Sequence, residues 1–239
     1  MQYMVIGSGV AGATAAETLR RLDPQSRIRM IGDESGPPYC RPMISLLLGG
    51  SISERALPIK SEDFFEEHRI DAVLTSRVSR LDSRSKQIVA RDGREFAYDR
   101  LLIASGADPR PVKADNRGLK NIFFMRTRSQ VKDMLAALPE AKKALVTGGG
   151  LVGFKAAYGL LRRGLDVTML IRSQHPLSMQ VDAAAGRMIR DVLEEHGLSV
   201  RVGAPDERAG DRHRRGGHDD RGLPVHHALA RQGGGLLPH

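Results

Sequence analysis

At 239 residues, with 41% apolar side chains and a mean hydropathy of −0.31, the chain can build one large domain or two ordinary ones with proper cores, and it reads as soluble. No apolar stretch reaches the roughly 20 residues that span a bilayer, and the N-terminal apolar run, lacking a basic flank and broken by glycines, reads as strand and helix rather than signal peptide. The net charge of +9 is spread among interspersed Asp and Glu with only 4% aromatics, which argues against nucleic acid and leaves a basic surface that attracts phosphate-bearing cofactors.

Taken in chain order, residues 2–6 and 27–31 read as strands joined by a helix over about 11–21, a βαβ unit. A loop through Pro37-Pro38-Tyr39-Cys40-Arg41-Pro42 leads to short helices near 43–48 and 61–67. Alternating segments at 72–82 and 87–98 predict a small antiparallel meander with a turn at Asp92-Gly93. The continuous apolar run at 100–104 predicts a buried parallel strand. The Pro/Gly-rich stretch 107–120 reads as a crossover. Thr127 and Gln130 have capping-box spacing for a helix over about 128–138. A second βαβ unit follows at 144–171, then an amphipathic helix near 181–196 and a strand at 199–202. The fold class predicted is therefore α/β: two Rossmann-like dinucleotide-binding units with parallel sheets, plus a small antiparallel β meander.

Each βαβ unit opens on the same signature. Gly7-Ser8-Gly9-Val10-Ala11-Gly12 follows Tyr3-Met4-Val5-Ile6, and Gly148-Gly149-Gly150-Leu151-Val152-Gly153 follows Ala144-Leu145-Val146-Thr147. In this motif the first Gly makes the strand-to-helix turn and the second lets the backbone approach a pyrophosphate. The third allows close helix–strand packing, and the helix N-terminus faces the phosphates. An acid about 20 residues on should accept hydrogen bonds from the ribose. Asp33 lies at that place, 21 residues after Gly12, with Glu34 beside it. The second unit has no acid there. Arg172 stands 19 residues after Gly153 at the end of its second strand, where an Arg accommodates a 2′-phosphate. Two such sites predict two dinucleotides, the arrangement that electron transfer between them requires.

The two fingerprints, with Ile31-Gly32-Asp33-Glu34, Pro38-Tyr39-Cys40-Arg41-Pro42-Met43-Ile44-Ser45, residues 98–107 and Met125-Arg126-Thr127, make the chain resemble a known family. It is that of the FAD-dependent pyridine-nucleotide oxidoreductases, which includes rubredoxin, ferredoxin and nitrite reductase subunits and apoptosis-inducing factor. The resemblance covers about 1–203. It implies an FAD-binding domain over 1–110 (its N-terminal part) and an incomplete NAD(P)-binding domain over 111–203. By resemblance FAD occupies the first site, with Gly7, Gly9, Val10, Ala11 and Gly12 at the pyrophosphate and Asp33 or Glu34 on the ribose. Arg41 and Pro42 would lie along flavin and pyrophosphate and Val78 by the adenine, with Ala104, Ser105, Gly106 and Arg126 completing the pocket. NAD(P)H would take Gly148, Gly150, Leu151, Val152 and Gly153, with Arg172 favouring NADPH. The implied activity passes hydride from nicotinamide to flavin, then electrons to a separate acceptor, whether a rubredoxin- or ferredoxin-type carrier, a nitrite reductase partner or a small molecule. The alternative is a truncated, non-catalytic dinucleotide-binding remnant without the second FAD segment.

Two departures from the resemblance bear on chemistry. Leu46 and Lys155 stand where many relatives carry a Lys and a Glu, so both members of that pair are replaced. Lys155 either offsets negative charge on reduced flavin or is a solvated helix lysine. Cys40 is the single cysteine, so no internal disulfide forms and a packed or spectator thiol is expected, which suits a reducing cytoplasm. No catalytic side chain and no metal site are predicted, and oligomeric state is not legible in the sequence. After Ala204 hydrophobic periodicity vanishes. Residues 204–239, which include His213, His218, His226 and His227, read as a disordered or out-of-frame tail.

Overall fold

The structure, a computed structural model, describes residues 1–109 and 120–203 and the backbone of His226–Arg231. The chain divides into two compact units, one of Met1–Cys40 with Arg55–Ala107, the other of Arg41–Glu54 with the described residues from Asp108 onward.

In the first unit, β1 (Gln2–Ile6), α1 (Val10–Leu22) and β2 (Arg27–Ile31) form the expected βαβ. The parallel sheet has the order β3-β2-β1-β7, with β3 at Ile70–Val73 and β7 at Arg100–Ile103. Successive residues of β1 face opposite sides of the sheet. Val5 packs with Ala13 and Ala16 of α1, Ile28, Met30, Ile70 and Phe64, the last from the short helix α3 (Phe64–Glu67). Met4 packs on the other side with Ile31, Ile88, Ala90 and Tyr98. That second face is covered by the antiparallel meander of β4 (Val78–Asp82), β5 (Gln87–Ala90) and β6 (Glu95–Ala97).

Two expectations change here. The segment predicted as one meander strand over 72–82 is split. Its start belongs to β3, which pairs in parallel with β2 from Ile28↔Ile70 to Ile31↔Val73, and the meander begins only at Val78. The break falls at Thr75, whose φ of 53° cannot continue a strand. The strand at 100–103 is parallel, as predicted, but not buried. It is an edge of the sheet among the described residues, with Leu102 39% and Ile103 58% exposed. An apolar groove of about 670 Å³ lies between it and α1, lined by Tyr3, Met4, Thr14, Leu101 and Leu102 among others.

The β4–β5 turn depends on a carboxylate. Asp82 accepts from the backbone N–H of Arg84 at 2.9 Å and of Ser85 at 3.1 Å, and the Ser85 N–H is the main reason its carboxyl titrates below the usual range. A folded-state value below the unfolded one stabilises above the unfolded pKa of about 3.9 and loses that contribution as pH falls through the folded value. Asp82→Asn is therefore expected to melt below the parent protein at pH 6, and the gap should close as pH falls below about 4. A gap independent of pH in paired thermal melts would remove the charge from this account.

In the second unit α2 (Ile44–Leu48) packs on α5 (Leu151–Arg162) through glycines. A Cβ on Gly159 would come within 3.2 Å of Leu48 Cγ and 3.3 Å of Gly49 N. Arg163 fastens the end of α2, donating from Nε to the Leu48 carbonyl at 2.7 Å. The helix α4 (Arg128–Ala137) opens on the predicted capping box, with Gln130 N–H donating to Thr127 Oγ1. The parallel strands β9 (Ala141–Thr147), β10 (Asp166–Leu170) and β11 (Ser199–Arg201) carry α5 and α6 (Ala183–Glu195). Beyond β9 the same sheet holds β12 (His226–Arg231), antiparallel to β9 and to β8 (Ile122–Phe123). Neither β8 nor β12 was expected. Most of the tail, with His213 and His218, and most of the predicted crossover lie outside the described residues. No helix among the described residues is long and apolar enough to cross a membrane.

Candidate functional site

The two glycine signatures adopt one backbone geometry. Gly7 has φ +111° and Gly148 φ +108°, a left-handed region that side-chain-bearing residues rarely adopt. Each turn is bolted to the second strand of its unit, with Gly7 N–H donating to the Ile31 carbonyl at 2.7 Å and Gly148 N–H to the Leu170 carbonyl at 2.8 Å. A Cβ on Gly7 would strike the Ala104 carbonyl, and one on Gly12 the Gly7 carbonyl. These two glycines are therefore required by the protein's own packing.

Gly9 and Gly150 are different. Each is the extended N-cap of its helix, at φ −75° and −83°, a conformation open to any residue. A Cβ there would meet nothing within 4 Å. Protein packing does not require glycine at either place, whereas close approach of a ligand does. Neither helix has a side-chain cap or an acidic residue in its first turn, so the N–H groups around Val10, Ala11 and Gly12, and around Leu151, Val152 and Gly153, are not taken by a cap. Uncapped helix starts above open glycines suit a pyrophosphate.

At the end of β2 the two candidate acids have different partners. Asp33 is exposed and lies 3.7 Å from the Arg77 guanidinium, while Glu34 accepts from the Tyr39 hydroxyl at 2.5 Å. Arg77 and Tyr39 were not singled out from sequence, although Tyr39 lies within the Pro-Tyr-Cys-Arg-Pro motif. Val78 packs on the Met4/Ile31 cluster, and Ala104-Ser105-Gly106 leaves β7 beside the Gly7 turn, with Ala104 N–H donating to the Ile6 carbonyl at 2.7 Å. Thus Gly7 to Gly12, Asp33, Glu34, Val78 and Ala104 to Gly106 all belong to the first unit. Arg41, Pro42 and Arg126 belong to the second, where Arg41 Nη1 donates to the Arg126 carbonyl at 3.1 Å. Cys40 is half-buried and its N–H donates to the Leu57 carbonyl at 2.9 Å. Leu46, Lys155 and Arg172 are exposed.

Strand register makes the units directly comparable. Ile6 pairs with Ile31 as Thr147 pairs with Leu170. Gly32 and Ile171 are then equivalent, and so are Asp33 and Arg172. At the middle of each crook the volumes are exchanged: Ser8 lies over Gly32, and Ile171 lies over Gly149. An acid in the first unit has become a guanidinium in the second.

Tandem glycine crooks at the mouths of parallel sheets define an α/β protein of dinucleotide-binding type. The pattern of the family described as "Pyridine nucleotide-disulphide oxidoreductase" matches residues 1–218, and the chain belongs to that family. The rubredoxin-NAD(+) reductase of Pseudomonas putida is 30% identical over 205 residues, 85% of this chain and 53% of that protein. The chlorobenzene dioxygenase ferredoxin reductase component of Cupriavidus sp. (strain PS12) is 33% identical over 201 residues, 83% of this chain and 48% of that one. Among solved structures, the reductase of the covalent putidaredoxin reductase–putidaredoxin complex aligns with a TM-score of 0.77 at 26% identity, over 84% of this chain and 49% of that one. The chain spans about half the length of the curated relatives it matches.

Proposed function

We propose that the chain is the dinucleotide-binding part of an FAD-dependent NAD(P)H oxidoreductase that delivers electrons to a separate carrier of rubredoxin or ferredoxin type. The observation that carries this reading is the pair of open N-cap glycines, Gly9 and Gly150, where the fold leaves room for a side chain and the missing Cβ suits close approach of a ligand. FAD fits the first crook, because its uncapped helix start can meet the pyrophosphate and the Asp33 carboxylate can accept from a ribose hydroxyl. Glu34, already engaged by Tyr39, is the weaker candidate. NADPH is assigned to the second crook, because Arg172 replaces the acid that would repel a 2′-phosphate. The flavin, when bound, would supply acceptance of a hydride from the nicotinamide and release of its two electrons one at a time, the proton passing to solvent. The protein's contribution is to bind and orient. Arg41 carries the kind of cation that suits a dianionic pyrophosphate. With Leu46 and Lys155 replacing the Lys/Glu pair, no side-chain acid or base is assigned. The names of the relatives, a rubredoxin reductase and a ferredoxin reductase component, support a protein acceptor.

The test is spectroscopic. The purified chain incubated with FAD is expected to retain yellow, quenched flavin after gel filtration, and NADPH should bleach it faster than NADH. No retained flavin would overturn the reading. Retained flavin that neither nicotinamide bleaches would favour a second reading, a binding module without catalysis.

A further inference from the structure

We propose that Arg201, at the end of β11, is the second cation of a 2′-phosphate clamp whose first is Arg172, so that two guanidinium groups on adjoining strand ends select NADPH. The proposal rests on the NADPH reading above and extends it to a residue on a different strand.

The internal comparison places Arg201. In the first unit Ile31 pairs with Val73, and Gly32 N–H donates to the Val73 carbonyl at 3.0 Å. In the second unit Leu170 pairs with Arg201, and Ile171 N–H donates to the Arg201 carbonyl at 2.7 Å. Val73 and Arg201 are therefore equivalent, as are Asp33 and Arg172. The unit with an acid at the ribose position carries an apolar residue on the neighbouring strand. The unit with an arginine at that position carries a second arginine.

Val167, Met169 and Ile171 are buried along one side of the second sheet, as is Val200 of β11. Leu170 and its register partner Arg201 thus lie on the opposite side, and Arg172, in the bend that follows the buried Ile171, is exposed. Val73 packs into the cluster beneath the meander, but the meander pairs only within the first unit, and Arg201 is exposed. Its guanidinium has no ion-pair or hydrogen-bond partner among the described residues. The chain after Arg172 is held beside β11 as well, with Gly203 N–H donating to the Ser173 carbonyl at 3.1 Å. Arg201 pairs with Leu170, two residues before Arg172; with strands about 4.8 Å apart and a rise of about 3.3 Å per residue, the two backbones start roughly 8 Å apart, a gap two long arginine side chains can bridge to one phosphate. A phosphate monoester, dianionic at neutral pH, accepts charge-assisted hydrogen bonds from two planar guanidinium forks more strongly than from one.

The test titrates the full chain calorimetrically with adenosine 2′,5′-bisphosphate and with 5′-AMP, which differ only in the 2′-phosphate. The parent chain is expected to prefer the bisphosphate by about a hundredfold, two charge-assisted contacts at roughly tenfold each. Arg201→Gln should cut that preference about tenfold and leave 5′-AMP binding unchanged. A variant whose bisphosphate affinity stays within about twofold of the parent overturns the role of Arg201 while leaving the NADPH reading standing. So does a variant that loses both ligands equally, because that marks a structural role. A parent chain that binds both ligands alike overturns the NADPH reading itself.

Discussion

A Gly9→Ser chain is expected to be as stable as the parent while binding FAD at least about tenfold more weakly, a loss of roughly 1.4 kcal/mol or more. The two effects separate because the fold does not need a glycine at position 9, whereas the proposed flavin site does. Its φ of −75° suits any residue, and an added Cβ meets no protein atom within 4 Å. Serine is also a good helix N-cap, worth a few tenths of a kcal/mol over glycine, because its hydroxyl accepts from a first-turn N–H. On the proposed function that bond would take a donor from the pyrophosphate, and the side chain would fill the space the pyrophosphate needs. Gly12→Val is the contrasting case. Its Cβ would strike the Gly7 carbonyl, so stability and binding should fall together. Flavin fluorescence quenching gives the affinity and a urea melt the stability. Undiminished FAD affinity in Gly9→Ser would remove the crook from the flavin site.

The second large effect is on stability. Phe64→Ala is expected to cost about 3–5 kcal/mol, a large share of the roughly 5–15 kcal/mol that holds a typical domain. Phe64 is 1% exposed and lies among Val5, Ala13, Ala16, Ile28, Met30 and Ile70, so it fills the space between the short helix α3 and the sheet beneath α1. Its ring meets Phe65 edge-on, with centroids 5.2 Å apart, and the Lys60 ammonium lies 5.7 Å from its centre. Truncation leaves a cavity bordered by strands that cannot close in, because their backbones are hydrogen-bonded to one another. Saturating FAD should recover part of the loss, since a ligand held only by the folded state shifts the equilibrium toward it. A urea midpoint corresponding to less than about 1 kcal/mol would show that α3 is dispensable to this core.

The parts of the fold that local chemistry determines were legible in the sequence. Glycines at a strand-to-helix turn, an acid closing β2 and the Thr127/Gln130 capping box each act within a few residues, and the structure has all three as elements. What the sequence did not disclose depends on distant partners. An apolar tetrad such as Arg100-Leu101-Leu102-Ile103 reads as interior strand, because nothing within it states whether another strand will pair on its far side. In sequence β3 runs into the meander without a boundary, because the break at Thr75 is a single residue with ordinary composition. β8 spans only two residues, too few for any periodicity. Arg201 carries no local signal for the same reason, because its equivalence to Val73 appears only when β11 against β10 is compared with β3 against β2.

Because β7 ends its sheet among the described residues, it presents a column of backbone donors and acceptors to the surroundings, flanked by Leu102 and Ile103. Apart from Arg100 at its start, no lysine, proline or bulge blunts it, and those are the devices by which edges ordinarily repel one another. A ribbon left open in this way is the place where a further strand would add to the sheet.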